Sequence, residues 1–202
     1  MEEEKKGISK KVIYIIIGVS ILFCVVLALA FYIFYSSPKE VKTEKAEAGS
    51  VSLTYADDFN GLTITNAIPT NDSVGMVENS VDKYFDFTVD TEVFDDVVVN
   101  YEISVEKDEV SSTTMDSNIR VYLEEQSSGS YVKKFGPETF VPSKKKTKIG
   151  SPKGSMVLAT VSKKKSSMDN YRLRLWLSDK AVVNPGDIQN FTFKVVVNGK
   201  AE

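Results

Sequence analysis

Two arginines and the only tryptophan alternate with leucines in the stretch YRLRLWLS, residues 171–178. Successive side chains of a β-strand point to opposite faces, so the leucines predict the core face. The other face then carries Arg172, Arg174 and Trp176. Arginine stacked on an indole is a self-contained surface arrangement, which a neighbouring loop can also cover. Because Trp and Arg also dominate binding hot spots, the trio is in addition a candidate partner-binding site.

Two lysine clusters form a second candidate surface. The stretches 143–153 and 162–167 hold eight lysines and no acidic residue. Solvated loop lysines account for them without a function, whereas contact with lipid headgroups, wall polymers or an acidic partner is the functional interpretation. We expect these loops, rather than the strands, to mediate any electrostatic association, and salt to weaken it. The candidate residues are Lys144, Lys145, Lys146, Lys163, Lys164 and Lys165.

Several kinds of chemistry are excluded by composition. The chain has no histidine, so Ser-His and Cys-His catalysis and histidine metal sites are ruled out. Its single cysteine, Cys24, lies in an apolar run, which leaves no disulfide or cysteine zinc site for the folded domain. Carboxylates, Lys, Tyr and Ser remain, and no pair of them has diagnostic spacing. We therefore expect no enzyme and no cofactor, although a pocket with two carboxylates about 5–10 Å apart would indicate a glycosidase.

Two polar stretches have a structural and a ligand-binding interpretation. Asp57, Asp58 and Asn60 precede Gly61, and such oxygen ligands can hold calcium. A turn between two strands explains the same residues without metal, and we favour it because the alternate ligand spacing and a distant carboxylate are missing. The loop NAIPTNDSVG, residues 66–75, is expected to be an ordered connection rather than a binding loop.

Charge is divided unevenly along the chain. Residues 41–130 contain 5 basic and 19 acidic side chains, a net charge of −14, whereas residues 131–202 contain 15 and 5, a net of +10. Either the two segments interleave, so that opposite charges pair across strands, or the lysine loops project together at one end of the domain. We expect the strands to be largely compensated. The net charge of −3 gives the chain no nucleic-acid signature.

An uncharged run of 24 residues, 12–35, predicts a transmembrane helix of roughly 36 Å, long enough to cross a bilayer. Tyr14, Tyr32 and Tyr35 fall near its ends, where aromatic residues settle at the interface. Ala28-Leu29-Ala30 fits a signal cleavage site, but cleavage would expose an apolar stub. Four lysines before the run and three after it favour a cytoplasmic N-terminus. We predict a cytoplasmic segment 1–11, a retained anchor 12–35, a stalk 36–49 that lifts the domain, and an extracellular domain 50–202.

The domain is predicted to be all-β. About eight stretches alternate apolar and polar residues, as in YFDFTVD and NFTFKVVV, which is typical of antiparallel strands with one wet face. Eight such strands without a long helix favour a two-sheet, jelly-roll-like sandwich. Residues 126–153 are predicted to be a long connection. The expected buried residues are Phe85, Phe87, Tyr101, Ile103, Leu173, Leu175, Phe191 and Phe193.

Two stretches carry a resemblance to a known family. GSVSLTYADDFNGLTITNAIPTNDSVG followed by YFDFTV resembles the N-terminal part of TasA/camelysin-type surface proteins of Gram-positive bacteria. NYRLRLWLSDKAVV followed by FTFKVVVNGK resembles the closing strands of related uncharacterised anchored proteins. The resemblance, over residues 49–198, implies a jelly-roll fold and a cell-surface or matrix role. A retained anchor departs from the fibre-forming members, whose signal is cleaved, and the lack of histidine prevents transfer of a zinc peptidase activity.

The expected function is therefore a structural or adhesive cell-surface protein, held in the bacterial plasma membrane as a single-pass protein with its C-terminal domain outside. Its expected partners are membrane lipid through residues 12–35, an anionic envelope polymer and other surface proteins, with no nucleic acid. The alternative is a ligand- or polymer-binding accessory subunit of an envelope complex. That subunit would use the basic loops and the Arg172, Arg174 and Trp176 face.

Overall fold

The described part of the chain forms a β-domain within one compact unit, Pro38–Glu202. The computed structural model describes residues 39–46, 49–55, 59–77, 84–94, 96–110 and 112–202. The predicted cytoplasmic segment and transmembrane anchor lie outside these ranges. Within them, no helix has the length and apolar character that crossing a membrane requires.

Ten strands account for most of the described residues, with one short helix and one 3-10 turn between them. The strands are β1 (Lys39–Ala46), β2 (Gly49–Tyr55), β3 (Gly61–Ile64), β4 (Tyr84–Val93), β5 (Val99–Lys107), β6 (Ile119–Ser127), β7 (Ser130–Thr139), β8 (Ser155–Lys163), β9 (Ser167–Leu177) and β10 (Phe191–Ala201). The helix α1 (Asp72–Gly75) lies between β3 and β4, and the 3-10 turn (Asp116–Asn118) lies between β5 and β6.

The strands form two antiparallel sheets. The larger sheet has the order β2-β4-β9-β6-β7 and is extended at its β2 edge by β1, and the second has the order β3-β10-β5-β8. Their facing sides bury one apolar core. The prediction of a β-domain with two antiparallel sheets is confirmed for the described residues.

Most of the core consists of the alternating apolar residues that the sequence pattern picked out. All eight of the residues expected to be buried are buried. Phe193 of β10 packs edge-on against Phe140, with ring centroids 4.7 Å apart. Gly61 opens β3 where a Cβ atom would lie only 1.8 Å from the Phe193 carbonyl oxygen, so a side chain there would separate β3 from β10. Asp57 and Asp58 of the proposed turn lie outside the described residues.

Two strands occur where the sequence predicted none. β1 occupies most of the predicted stalk, 36–49, and pairs with the edge of β2. Its sequence, KEVKTEKA, is charged, as is common for an edge strand, so it lacks the alternation that marks a buried face. β7 occupies part of the predicted connection 126–153 and forms a hairpin with β6. The turn there places Ser128 and Gly129 at φ 50° and 83°, the left-handed pair that tight hairpins use.

The acidic and basic segments interleave as expected. The basic strand β9 lies between β4 and β6, and β10 lies between β3 and β5. Arg172 of β9 pairs with Asp86 of β4, and Arg174 pairs with Glu124 of β6, at 2.6 and 2.7 Å. The other arrangement, with both lysine loops at one end, is not found, because one loop precedes β8 and the other follows it.

Candidate functional site

Strand β9 places Arg172, Arg174 and Trp176 on the outer face of the larger sheet, opposite buried leucines, as the alternation predicts. Two of the three side chains are covered by neighbouring parts of the chain, which is one of the arrangements expected from the sequence. Trp176 is only 5% exposed and Arg174 only 4% exposed. Arg172 alone remains partly accessible. The reason is that other parts of the chain pack over this face.

Trp176 lies beneath the loop formed by residues 66–77. The loop follows β9 closely, since the Thr70 N–H donates to the Leu177 carbonyl over 2.9 Å. Gly75 approaches the indole so closely that a Cβ atom would lie 2.4 Å from a ring carbon. Tyr122 packs against the indole edge, with centroids 6.4 Å apart. Trp176 is thus part of a small second core on the outer face.

An ion pair fastens this loop to the sheet. Arg120 of β6 donates two hydrogen bonds to the Asp72 carboxylate, at 3.0 and 2.7 Å, and another to the Pro137 carbonyl at 2.7 Å. Asn71 caps α1 by accepting from the Val74 N–H at 3.0 Å. The loop is therefore an ordered connection, as expected.

Asp72 is charged more readily than an ordinary aspartate. Its hydrogen bond from Arg120 holds the pKa of that carboxyl below its ordinary value of 3.8, against the opposing effect of burial. The Trp176 N–H has no partner within standard hydrogen-bond geometry. It nevertheless lies near enough to Asp72 to contribute a smaller lowering of the same pKa.

The Asp72→Asn variant is expected to lose up to about 1 kcal/mol of unfolding free energy at neutral pH, because the carboxylate is half-exposed and its ion pair is screened. A pKa lowered by folding contributes stability above the unfolded pKa and loses it as pH falls through the folded one. The difference from the parent chain should therefore shrink as the pH falls below the ordinary pKa of 3.8. Urea unfolding at pH 7 and about pH 3, followed by Trp176 fluorescence, measures it. Asp179→Asn, at an exposed aspartate, is the control, and a difference independent of pH would contradict the expectation.

Arg172 is stacked between two tyrosines. Its guanidinium carbon lies 3.9 Å from the Tyr84 ring centroid and 4.2 Å from that of Tyr131. It also donates two hydrogen bonds to Asp86, at 2.6 and 2.7 Å, which raise the pKa of Arg172 above its ordinary value. Burial raises the pKa of the Tyr131 hydroxyl. The stacking predicted with an indole thus occurs with tyrosines.

Arg174 has a more buried version of the same arrangement. Its Nε atom donates to the Glu124 carboxylate over 2.7 Å, and its guanidinium lies 5.5 Å from the Tyr84 centroid. Glu124 is buried as well. Both arginines therefore have acidic partners inside the domain. What this face offers to solvent is a shallow surface of Arg172, Tyr84 and Tyr131, with Asp86 43% exposed beside them.

Sequence reasoning did not name Tyr84, Tyr131, Asp86 or Glu124 as parts of this site. The alternation in YFDFTVD does place Asp86 on the polar face of its strand. Which residue of β9 lies opposite it depends on the register between strands 86 residues apart in sequence. Tyr131 lies in β7, which the sequence pattern did not reveal.

The lysine loops are exposed at their tips but differ in setting. In the loop 140–154, Lys144, Lys145 and Lys146 are exposed, while Thr147 hydrogen-bonds to the Glu102 carboxylate and covers the outer face of β5. At the 164–166 tip, Lys164 and Lys165 are exposed. Lys163 instead pairs with Asp169 at 2.6 Å. Their role in binding stays a prediction.

A buried polar cluster lies near the 164–166 tip. The hydroxyls of Tyr101 and Tyr171 are 2.9 Å apart, and Tyr101 also donates to Asp169 over 3.2 Å. Burial raises the pKa of both tyrosines well above the ordinary value. Both hydroxyls therefore stay protonated at neutral pH, which suits a structural role better than that of a nucleophile.

A small pocket lies under the 66–77 loop. It has a volume of about 70 Å³ and is lined mainly by aliphatic side chains and Trp176. No titratable group lines it, and a volume of that size is far below the several hundred Å³ of a substrate pocket. Across the described ranges, no cluster of three or more His, Cys, Asp or Glu side chains has the arrangement of a metal site. Neither a scan against models of protein families nor a search of curated proteins finds a match for this chain.

Proposed function

We propose that this chain is a non-enzymatic, membrane-anchored cell-surface protein whose β-sandwich has a structural or adhesive role outside a bacterial cell. The observation that carries the proposal is the pairing on the outer face of β9. Arg172 and Arg174 have their carboxylate partners within the domain, and a loop covers Trp176. These internal contacts make the outer face of β9 part of a rigid domain. A rigid domain of this kind fits a structural or adhesive role better than an enzyme with a reactive cleft.

Further support comes from the sequence. The 24-residue uncharged run fits a retained anchor, and the lysines before it fit a cytoplasmic N-terminus. The absence of histidine and of a cysteine outside the run suits a domain without catalysis or disulfides. The resemblance to TasA/camelysin-type proteins adds the finer proposals of jelly-roll winding and a Gram-positive source.

Protease treatment of intact cells that make the full chain tests the anchor and its orientation. We expect the β-domain to be digested and an N-terminal fragment to stay in the membrane fraction. The matched control carries Ile21→Arg and Val25→Arg, each of which costs about 2.5–3.5 kcal/mol at the centre of a membrane helix. It should not be retained in the membrane. A protected domain, or a mature N-terminus at Phe31 in the medium, would refute the proposal.

One observation favours the alternative, a polymer-binding accessory subunit. Arg172 between two partly exposed tyrosines forms a flat aromatic and cationic surface of the kind that can stack on a ligand. Retention of the protein on purified wall polymer, with loss of retention in Tyr131→Ala, would favour this function over the structural one.

A further inference from the structure

A row of uncharged polar side chains crosses the outer face of the larger sheet, beside the part that the 66–77 loop covers. Strand register and hydrogen bonds place one member from each of β2, β4, β9, β6 and β7 side by side. The members, which we call the polar row, are Thr54, Thr88, Asn170, Gln126 and Tyr131. Neighbouring strands lie about 4.8 Å apart, so the polar row is about 19 Å long. The sheet thus presents an extended line of side chains rather than a cleft.

Contacts within the domain hold the polar row in place. The Thr88 hydroxyl donates to the Asn170 side-chain carbonyl over 2.7 Å, and the Asn170 amide nitrogen donates to the Gln126 side-chain carbonyl over 2.9 Å. At the end of the row, the Tyr131 ring lies against the Arg172 guanidinium, 4.2 Å from its centroid. Side chains fixed in this way lose little freedom when a ligand binds.

The last amide of the polar row is open to a ligand. Gln126 is exposed, and its side-chain carbonyl already accepts from Asn170. Within the described residues no group accepts from its amide nitrogen. Two N–H groups therefore point from a fixed amide into solvent, beside the partly exposed ring of Tyr131.

The charges next to the polar row compensate one another. On one side, four side chains of alternating sign cross the sheet, namely Asp86, Arg172, Glu124 and Lys133. Arg172 is paired with Asp86 at 2.6 Å. On the other side the neighbouring charged group is the Asp90 carboxylate. An anionic polymer therefore meets no cationic cluster here, in contrast to the lysine loops, so the charges favour a neutral ligand.

The same face lacks the apolar centre that a protein interface usually has. Among the described residues of these five strands, Met168 is the only large apolar side chain exposed on the outer face. Hydroxyls, amides and an aromatic ring remain. A sugar is complementary to this set, because its hydroxyls both donate and accept hydrogen bonds and its C–H groups stack on an aromatic ring.

We propose that the polar row binds a neutral polysaccharide chain laid across the strands of the larger sheet. Tyr131 stacks on one sugar ring, and the amides of Gln126 and Asn170 hydrogen-bond to hydroxyls of the next ones. The inference rests on the polymer-binding alternative of the proposed function and names its ligand class. It also separates this ligand from the anionic one expected for the lysine loops.

Calorimetric titration of the full chain in phosphatidylcholine nanodiscs tests the ligand class. The neutral probes are cellotetraose and the tetramer of N-acetylglucosamine, each compared with its monosaccharide, and the anionic probe is a glycerol phosphate oligomer. We expect at least one neutral tetramer to bind severalfold more tightly than its monosaccharide, because several sugar rings reach along the row. Binding of neither tetramer would refute the inference.

Variants of the polar row test its location. Gln126→Ala and Tyr131→Ala should each weaken binding of the tetramer roughly tenfold, because each removes a direct contact. Asn184→Ala, at an exposed amide in the connection 178–190, is the matched control and should leave the affinity unchanged. Trp176 fluorescence checks that each variant is folded. Unchanged affinity in both row variants would show that the sugar binds elsewhere.

The outcomes separate this inference from the function on which it rests. If the chain is retained on purified wall polymer but binds no neutral tetramer, the ligand class is refuted and the polymer-binding function stands. If it binds neither, both are refuted. Binding of the glycerol phosphate oligomer alone, with loss in Lys144→Glu, would assign polymer binding to the lysine loops instead of the polar row.

Discussion

Replacement of Trp176 by alanine is expected to lower the free energy of unfolding by about 3–5 kcal/mol. The side chain is 5% exposed and fills the space between the larger sheet and the 66–77 loop. Its removal would enlarge the cavity and withdraw the surface on which Gly75 and Tyr122 pack. Denaturant unfolding followed by circular dichroism measures the loss, since the variant lacks the tryptophan signal.

The control for this variant comes from the same loop. Ile68 is 77% exposed, so Ile68→Ala should stay within about 0.5 kcal/mol of the parent chain. If Trp176→Ala behaved like Ile68→Ala, the loop would not cover the indole. Trp176 would then be an uncovered surface residue, the other arrangement that the sequence allows.

Glu124→Gln is expected to cost about 3–5 kcal/mol, because it removes the carboxylate that pairs with a buried guanidinium. Arg174 and Glu124 are both buried, and their ion pair spans 2.7 Å. On the same face Asp86 pairs with Arg172 at 2.6 Å but is 43% exposed. Asp86→Asn should therefore cost only about 0–1 kcal/mol.

Comparing the two variants by denaturant unfolding separates burial from ion pairing as such. Equal losses would show that solvent screens both pairs alike and would contradict the expectation. A double variant, Glu124→Leu with Arg174→Met, should recover most of the loss, since it leaves no buried charge. Recovery would show that Glu124→Gln loses unfolding free energy because the charge of Arg174 stays buried, and not because packing is lost.

The eight strands predicted from the sequence are those whose alternation reflects a buried and a wet face. The burial of Tyr101 and Ile103 could be predicted because the pattern in VVVNYEISVE matches the two-residue repeat of a strand. The same repeat put Trp176 on the correct face of β9. It could not reveal that the 66–77 loop covers Trp176, because the path of a loop produces no periodic pattern in the sequence.

The rest of the candidate site depends on relations between distant strands. Glu124 and Asp86 could be assigned to polar faces, but only register brings them to Arg174 and Arg172. β1 was missed because its sequence, KEVKTEKA, is charged and lacks the apolar alternation of a buried strand. β7 was missed although Ser128-Gly129 is a hairpin signal, because glycines and prolines elsewhere in residues 126–153 favoured a loop.

The position of β9 and β10 has a consequence for how the chain is assembled. Without β9, the β1-β2-β4 group and the β6-β7 hairpin lose their connection, and without β10, β3 is separated from β5 and β8. Both sheets are therefore completed by residues 167–202, which follow in sequence all the strands that they join. Residues 41–130 carry a net charge of −14, and the basic side chains that offset it follow in residues 131–202. Closure of the fold thus depends on β9 and β10, and a chain cut short before Ser167 would have neither sheet complete.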